Sequence, residues 1–157
     1  MDFTTYVVER RARLVRTAVL LGCPRADAED VVQAALLKCY RSWRRVARAD
    51  HPDAYVHRVL VTTLADARSR RWNGELPTET LPECPTNTDA DHWAGGIAVR
   101  RALAALSPEH REVLVLRFYA DLSERDAAAA LGVAAGTVKS RTSRALAALA
   151  PLVEAHR

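Results

Sequence analysis

Ala135, Gly136, Thr137, Lys139, Ser140, Arg141 and Arg144 stand at the start of one predicted helix. They combine small size, hydrogen-bonding groups and positive charge. Small residues let a helix N-terminus approach a polyanion, while hydroxyls and guanidinium groups bond phosphates and base edges. Val138, Ala145, Leu146 and Leu149 take the opposite side of the helix and are expected to be buried. Upstream, Ser123 followed by Asp126 reads as a capping box, and Leu131-Gly132 as a sharp helix stop. A capped helix, a glycine turn and a basic second helix make the layout of a DNA-binding helix-turn-helix. A plain helical hairpin with a solvated basic face shares the periodicity. The coincidence of cap, turn and small-polar-basic face favours the DNA reading.

Two earlier stretches carry further candidate chemistry. In Asp27–Trp43, one helical face is apolar, while Asp30, Gln33, Leu37 and Lys38 populate another with Arg41. Such a face suits a partner helix, although an ordinary amphipathic helix has the same pattern. Downstream, Arg44, Arg45, Arg48, Arg58, Arg68, Arg70 and Arg71 gather around Trp43, Tyr55 and Trp72. Arginine interleaved with aromatics is what an unpaired nucleic-acid strand requires, charge for its backbone and rings for its bases. The tryptophans serve equally well as core residues.

Catalysis finds no comparable support. His51, His57, His92, His110 and His156 are scattered, without a paired Asp, Ser or Cys, and there is no glycine-rich phosphate loop. No catalytic residue, metal set or cofactor is therefore assigned. Cys23, Cys39 and Cys84 show no CxxC spacing, and an odd count without a secretory signal suggests reduced thiols. With no apolar run of eighteen residues and no signal-peptide pattern, the expected location is the cytoplasm.

Helices position all these residues. The first is predicted over Phe3–Leu21, ending at Gly22 and Pro24. Asp27 is expected to cap a second, whose apolar stripe runs Val32, Ala35, Leu36, Cys39, Trp43 and Val46. A third starts near Pro52 and continues to about Trp72. Ile97–Leu106 and Glu109–Tyr119 should be two more helices ahead of the helix-turn-helix. No strand pattern or repeat appears. The expected fold is all-α, with a three-helix domain over 1–74, a flexible acidic linker over 75–96 and a four-helix domain over 97–152.

Charge follows the same division. Residues 1–74 carry a net +6, residues 75–96 hold five acids and no base, and residues 97–157 carry +3. Two basic modules separated by an acidic strip suggest two contacts with a polyanion. Arginine supplies 21 of 23 basic residues, which suits bidentate contacts to phosphate or guanine, although codon bias in a GC-rich genome gives the same preference.

Together the stretches resemble the sigma factors of bacterial RNA polymerase, specifically the extracytoplasmic-function class of the sigma-70 family that keeps only regions 2 and 4. Asp-Ala-Glu-Asp-Val-Val-Gln (27–33) and Tyr-Val-His-Arg-Val-Leu-Val-Thr-Thr (55–63) carry the region 2 likeness. Gly-Thr-Val-Lys-Ser-Arg-Thr-Ser-Arg-Ala (136–145) carries that of region 4, and Arg-Ser-Trp-Arg-Arg-Val (41–46) points to the SigE-like branch of actinobacteria. The resemblance implies that Asp30, Gln33, Leu37 and Lys38 meet the coiled coil of core polymerase's largest subunit. It further implies contact with the flap of core polymerase. Arg44, Arg45, Arg48, His51, Tyr55, Arg58, Thr62, Arg68, Arg71 and Trp72, with the 47–53 loop, would open the −10 element and hold a non-template base. Ala135 to Arg144 would read the −35 element, and an anti-sigma factor would be a further partner. Fully extended, the 22-residue linker spans about 73 Å, against about 26 Å as a coil and roughly 50 Å between the DNA elements. It must therefore be stretched when both modules are bound.

Four positions depart from the family pattern. Ala34 stands where an acid is usual, Thr62 where asparagine is common, Ala134 where a serine often caps the recognition helix, and Thr142 where leucine is usual. The missing cap costs about 1 kcal/mol of local helix stability. The competing reading from another class is a free-standing helix-turn-helix regulator, which needs no docking face.

Overall fold

The computed structural model describes residues 1–74 and 96–155, and the side chains of all of these except 71–74. The predicted linker therefore lies, apart from Gly96, outside the described residues. Every regular element among them is helical.

Helix α1 (Phe3–Leu20) starts where the Asp2 carboxylate accepts the amide of Thr5 at 2.7 Å, and ends at Gly22, whose φ of 103° only glycine adopts without strain. Helix α2 (Arg25–Arg41) begins directly after extended Pro24, so Asp27 lies within its first turn instead of capping it. There the carboxylate still favours the positive end of the helix dipole. The chain breaks at Ser42, and α3 (Trp43–Arg48) is a separate short helix, so the first module has four helices where the pattern predicted three. Helix α4 (Pro52–Gly74) completes it.

In the second module, α5 (Gly96–Ala105) and α6 (Pro108–Leu114) flank Ser107, which caps α6 through the amide of His110. The last five residues of the predicted Glu109–Tyr119 helix, Val115–Tyr119, wind as a π-helical turn. Helix α7 (Glu124–Leu131) is capped by Ser123, whose hydroxyl accepts the Asp126 amide at 3.0 Å, and stopped by Gly132 at φ 69°. Helix α8 (Ala135–Ala155) follows.

The two modules pack against each other. One apolar cluster joins Leu14, Leu21, Val32, Leu36 and Leu60 of the first module to Leu103, Leu106, Val113 and Leu114 of the second. A second cluster centres on Leu116, Leu122, Ala127, Ala130 and Val138, with Ala54 and Val61 of α4 set against it. The alanine-rich face of α7 lets α4 approach closely. At α1, Arg13 donates to the carbonyl of Tyr119 and lies 4.9 Å from its ring centre, while Arg16 Nε donates to the Tyr119 hydroxyl at 2.8 Å.

Candidate polymerase and nucleic-acid interfaces

The first candidate surface is the outer face of α2. Val32, Ala35, Leu36 and Cys39 are buried against α1 and α4, which turns Asp30, Gln33 and Leu37 outward. Leu37 is 53% exposed and Tyr40, on the same face, 59%. An apolar pair left in water beside a carboxylate and an amide can make a contact that is partly dry and partly hydrogen-bonded. Tyr40 was absent from the sequence reading, although its seven-residue spacing from Gln33 places it on that face. Lys38 is exposed beside them but also reaches α4. Its ammonium group donates to Thr63 Oγ1 at 3.1 Å and sits 3.9 Å from the Asp66 carboxylate, tying α2 to α4.

The second surface comprises α3, the following loop and the outer face of α4. Burial of Val46 turns Arg44, Arg45 and Arg48 into solvent, and Arg58 and Thr62 are also exposed, with Tyr55 half-buried. The Thr62 hydroxyl bonds back to the carbonyls of Arg58 and Val59. Trp43 packs edge-on to Phe3 at 5.4 Å and donates its indole N–H to the Met1 carbonyl, so core packing wins over base stacking for this residue. Arg68 departs from the expected DNA face. It donates to the Leu21 carbonyl at 2.6 Å, closing the end of α1. The side chains of Arg71 and Trp72 lie outside the described residues.

A buried polar group supports the loop. The hydroxyl of Tyr6 donates to Asp53 Oδ1 at 2.7 Å, and Arg10 lies 3.5 Å from the same carboxylate. Burial, reinforced by the Asp53 bond, raises the phenol's pKa well above its usual range. His57 is buried with Nδ1 2.6 Å from the Asp53 carbonyl oxygen, and burial holds its pKa below the ordinary value. A neutral His57 carrying its proton on Nδ1 satisfies that contact.

The third surface is the start of α8. Val138 and Ala145 are buried, anchoring the helix, and Ala135, Gly136, Lys139 and Arg144 are exposed. A methyl group built on Gly136 would meet nothing within 4 Å, so the backbone there is open to a large ligand. Ser140 and Thr142 return their hydroxyls to the carbonyls of Thr137 and Val138. Arg141 is half-buried, its guanidinium 4.0 Å from the Glu109 carboxylate of α6. Leu146, expected inside, is 45% exposed, while Leu149 packs against the shared core. Leu146 follows buried Ala145 by one residue, about 100° further round the helix, which carries it towards solvent.

Comparison with known proteins gives this arrangement a context. The Sigma-70 region 2 profile matches residues 7–74, and the Sigma-70 region 4 profile matches residues 97–149. The RNA polymerase sigma-E factor of Streptomyces coelicolor is 38% identical over 149 residues, covering 95% of this chain and 84% of that protein. The chain belongs to the extracytoplasmic-function sigma factors of the sigma-70 family. The SigL sigma factor of Mycobacterium tuberculosis is 34% identical over 90% of this chain and 82% of its own length. A solved sigma factor RpoE from Bartonella quintana, in complex with the anti-sigma factor NepR, superposes with a TM-score of 0.79. It has 27% identity and covers 99% of both chains. Function follows family here: the chain is a sigma factor of RNA polymerase, directing transcription initiation at promoter DNA. A free-standing regulator would account for residues 97–149 but not for the region 2 match. No helix among the described residues is long and apolar enough to cross a membrane.

Proposed function

We propose that the three surfaces divide the work of initiation. Asp30, Gln33 and Leu37, extended by Tyr40, dock on core polymerase through the coiled coil of its largest subunit, and the second module meets the flap. Arg44, Arg45, Arg48, His51, Tyr55, Arg58 and Thr62 engage the −10 element as it opens. Gly136, Thr137, Lys139, Ser140, Arg141 and Arg144 enter the major groove at the −35 element. The chain works in the cytoplasm without catalysis or a cofactor of its own. An anti-sigma factor, such as the one bound to the Bartonella protein, is a further partner.

The observation that carries this reading is the outward set of Asp30, Gln33 and Leu37 on a helix whose other face is fully committed to the core. Both polar residues lie off the packed side, so Asp30→Ala with Gln33→Ala leaves the fold intact. Capture of core polymerase by the double variant is expected to fall at least ten-fold, with helix content unchanged by circular dichroism. Undiminished capture would remove the docking assignment.

A further inference from the structure

One buried side chain touches both ends of the segment that carries the −10 contacts assigned above. Tyr6 of α1 is buried, and its ring meets that of Trp43, the first residue of α3, with centres 5.3 Å apart. Its hydroxyl donates to Asp53 Oδ1 at 2.7 Å, on the first turn of α4. Between these two anchors lie Arg44, Arg45, Arg48 and His51, all exposed. Asp53 is held at two further points. Arg10, one turn along α1 from Tyr6, lies 3.5 Å from Oδ2, and the Asp53 carbonyl meets His57 Nδ1 at 2.6 Å. Burial and the Asp53 bond keep the proton on the phenol, so Tyr6 stays the donor.

We propose that Tyr6 is a positioning residue for strand opening: its hydroxyl, acting through Asp53, sets the start of α4 and the adjoining residues 49–51 in the geometry that receives unpaired −10 DNA. The proposal rests on the reading of that loop given above. Tyr6 itself touches no DNA. Its hydroxyl is not needed to fill space, since phenylalanine would present the same ring to Trp43 without a buried polar atom to satisfy. The bond is placed where it controls the loop, on the second residue of α4 and not on the helix interior. Only three residues separate α3 from α4, and such a connection spans at most about 10 Å, so it cannot move independently of the two helix ends. One side chain that grips both ends therefore fixes what lies between. Losing a hydrogen bond to a charged group lowers the fraction of loops in the receiving geometry, and apparent opening falls with that fraction.

Tyr6→Phe separates positioning from packing, because it keeps the ring and removes only the hydroxyl. Capture of core polymerase by the full-length variant should match the wild type. On a duplex fragment of its own genome that gives a discrete start, permanganate reactivity of the −10 thymines should fall on the order of five-fold. On the same fragment with a non-complementary, pre-opened −10 region, run-off should return to within about two-fold of wild type, because unpairing no longer has to be driven. A folding defect would instead lower capture and both templates together. Asp53→Ala should reproduce the loss on duplex, although removing a carboxylate by itself favours DNA. Asp53→Asn, which keeps an acceptor for the hydroxyl, should retain opening. If circular dichroism shows lost helix in Tyr6→Phe, the two variants of part-exposed Asp53 carry the test. Duplex opening by Tyr6→Phe equal to wild type, a loss as large on the pre-opened fragment, or equal opening by Asp53→Ala and Asp53→Asn overturns the proposal. Arg45→Ala with Arg48→Ala tests the parent reading separately. Normal opening there ends the −10 assignment of the loop, whereas a loss there beside normal opening by Tyr6→Phe ends this proposal alone.

Discussion

Gly22 and Gly132 both end helices with positive φ, yet Gly→Ala should cost very different amounts at the two sites. At Gly132, φ is 69° and a new methyl group would meet nothing within 4 Å. Only the left-handed backbone resists the change, at about 1–2 kcal/mol. The stiffer unfolded chain offsets about 0.4–1 kcal/mol of this at either site. At Gly22, φ is 103°, and the methyl would lie 2.5 Å from Arg111 Nη1 and 2.9 Å from Arg68 Nη2. Both guanidinium groups must move. Arg68 then loses its 2.6 Å bond to the Leu21 carbonyl, a charged hydrogen bond contributing about 1.5–3 kcal/mol. Arg111 also bonds the carbonyls of Leu103, Ala104 and Leu106 at the end of α5, so its displacement loosens the second module too. Gly22→Ala should therefore exceed Gly132→Ala by about 2 kcal/mol in urea unfolding, or roughly 4–8 °C in Tm for a chain of this size. Comparing the two cancels the unfolded-state contribution. Losses equal within about 0.5 kcal/mol would refute the argument that two arginines converge on Gly22.

Two further predictions concern recognition and pH. Arg141→Ala should relax base preference in the −35 element at a cost of about 1–3 kcal/mol, whereas Arg144→Ala should weaken all duplexes alike and flatten the salt dependence; equal losses on matched and scrambled DNA for Arg141→Ala would contradict the first assignment. Because burial lowers the pKa of His57 from its ordinary 6.5, the unfolded state binds the proton more readily. Stability should be complete above about pH 6.5 and decline on acidification below it, and His57→Gln should reduce that slope in urea titrations at pH 5.5 and 7.5; an unchanged slope would contradict the assignment.

The helix-turn-helix was legible because its signals are local. Ser123, Gly132 and the start of α8 each depend on neighbours within four residues and stand where the pattern put them, Leu146 alone of the expected buried side of α8 turning outward. The face of Asp30 and Gln33 was legible by periodicity, since the buried stripe of α2 fixes the exposed one. Long-range choices were not. Nothing near Arg68 or Lys38 in sequence says that one closes α1 and the other ties α2 to α4. The break at Ser42 replaced a continuous stripe because Trp43 turns to pack on Phe3 and Tyr6. The π-helical turn escaped a reading tuned to a 3.6-residue period. The seam between modules was hidden because it uses alanines and arginines that also suit a solvated helix.

The central claim is that core polymerase becomes promoter-specific only through this chain. Run-off transcription on fragments of its own genome, with core polymerase in the presence and absence of the protein, tests it most directly. The account predicts discrete transcript starts that disappear when the chain is omitted, with permanganate-reactive thymines near the −10 position only in the complete mixture. Transcripts that do not depend on the chain, or nanomolar binding of the chain alone to duplex DNA with no strand opening when polymerase is added, would contradict it.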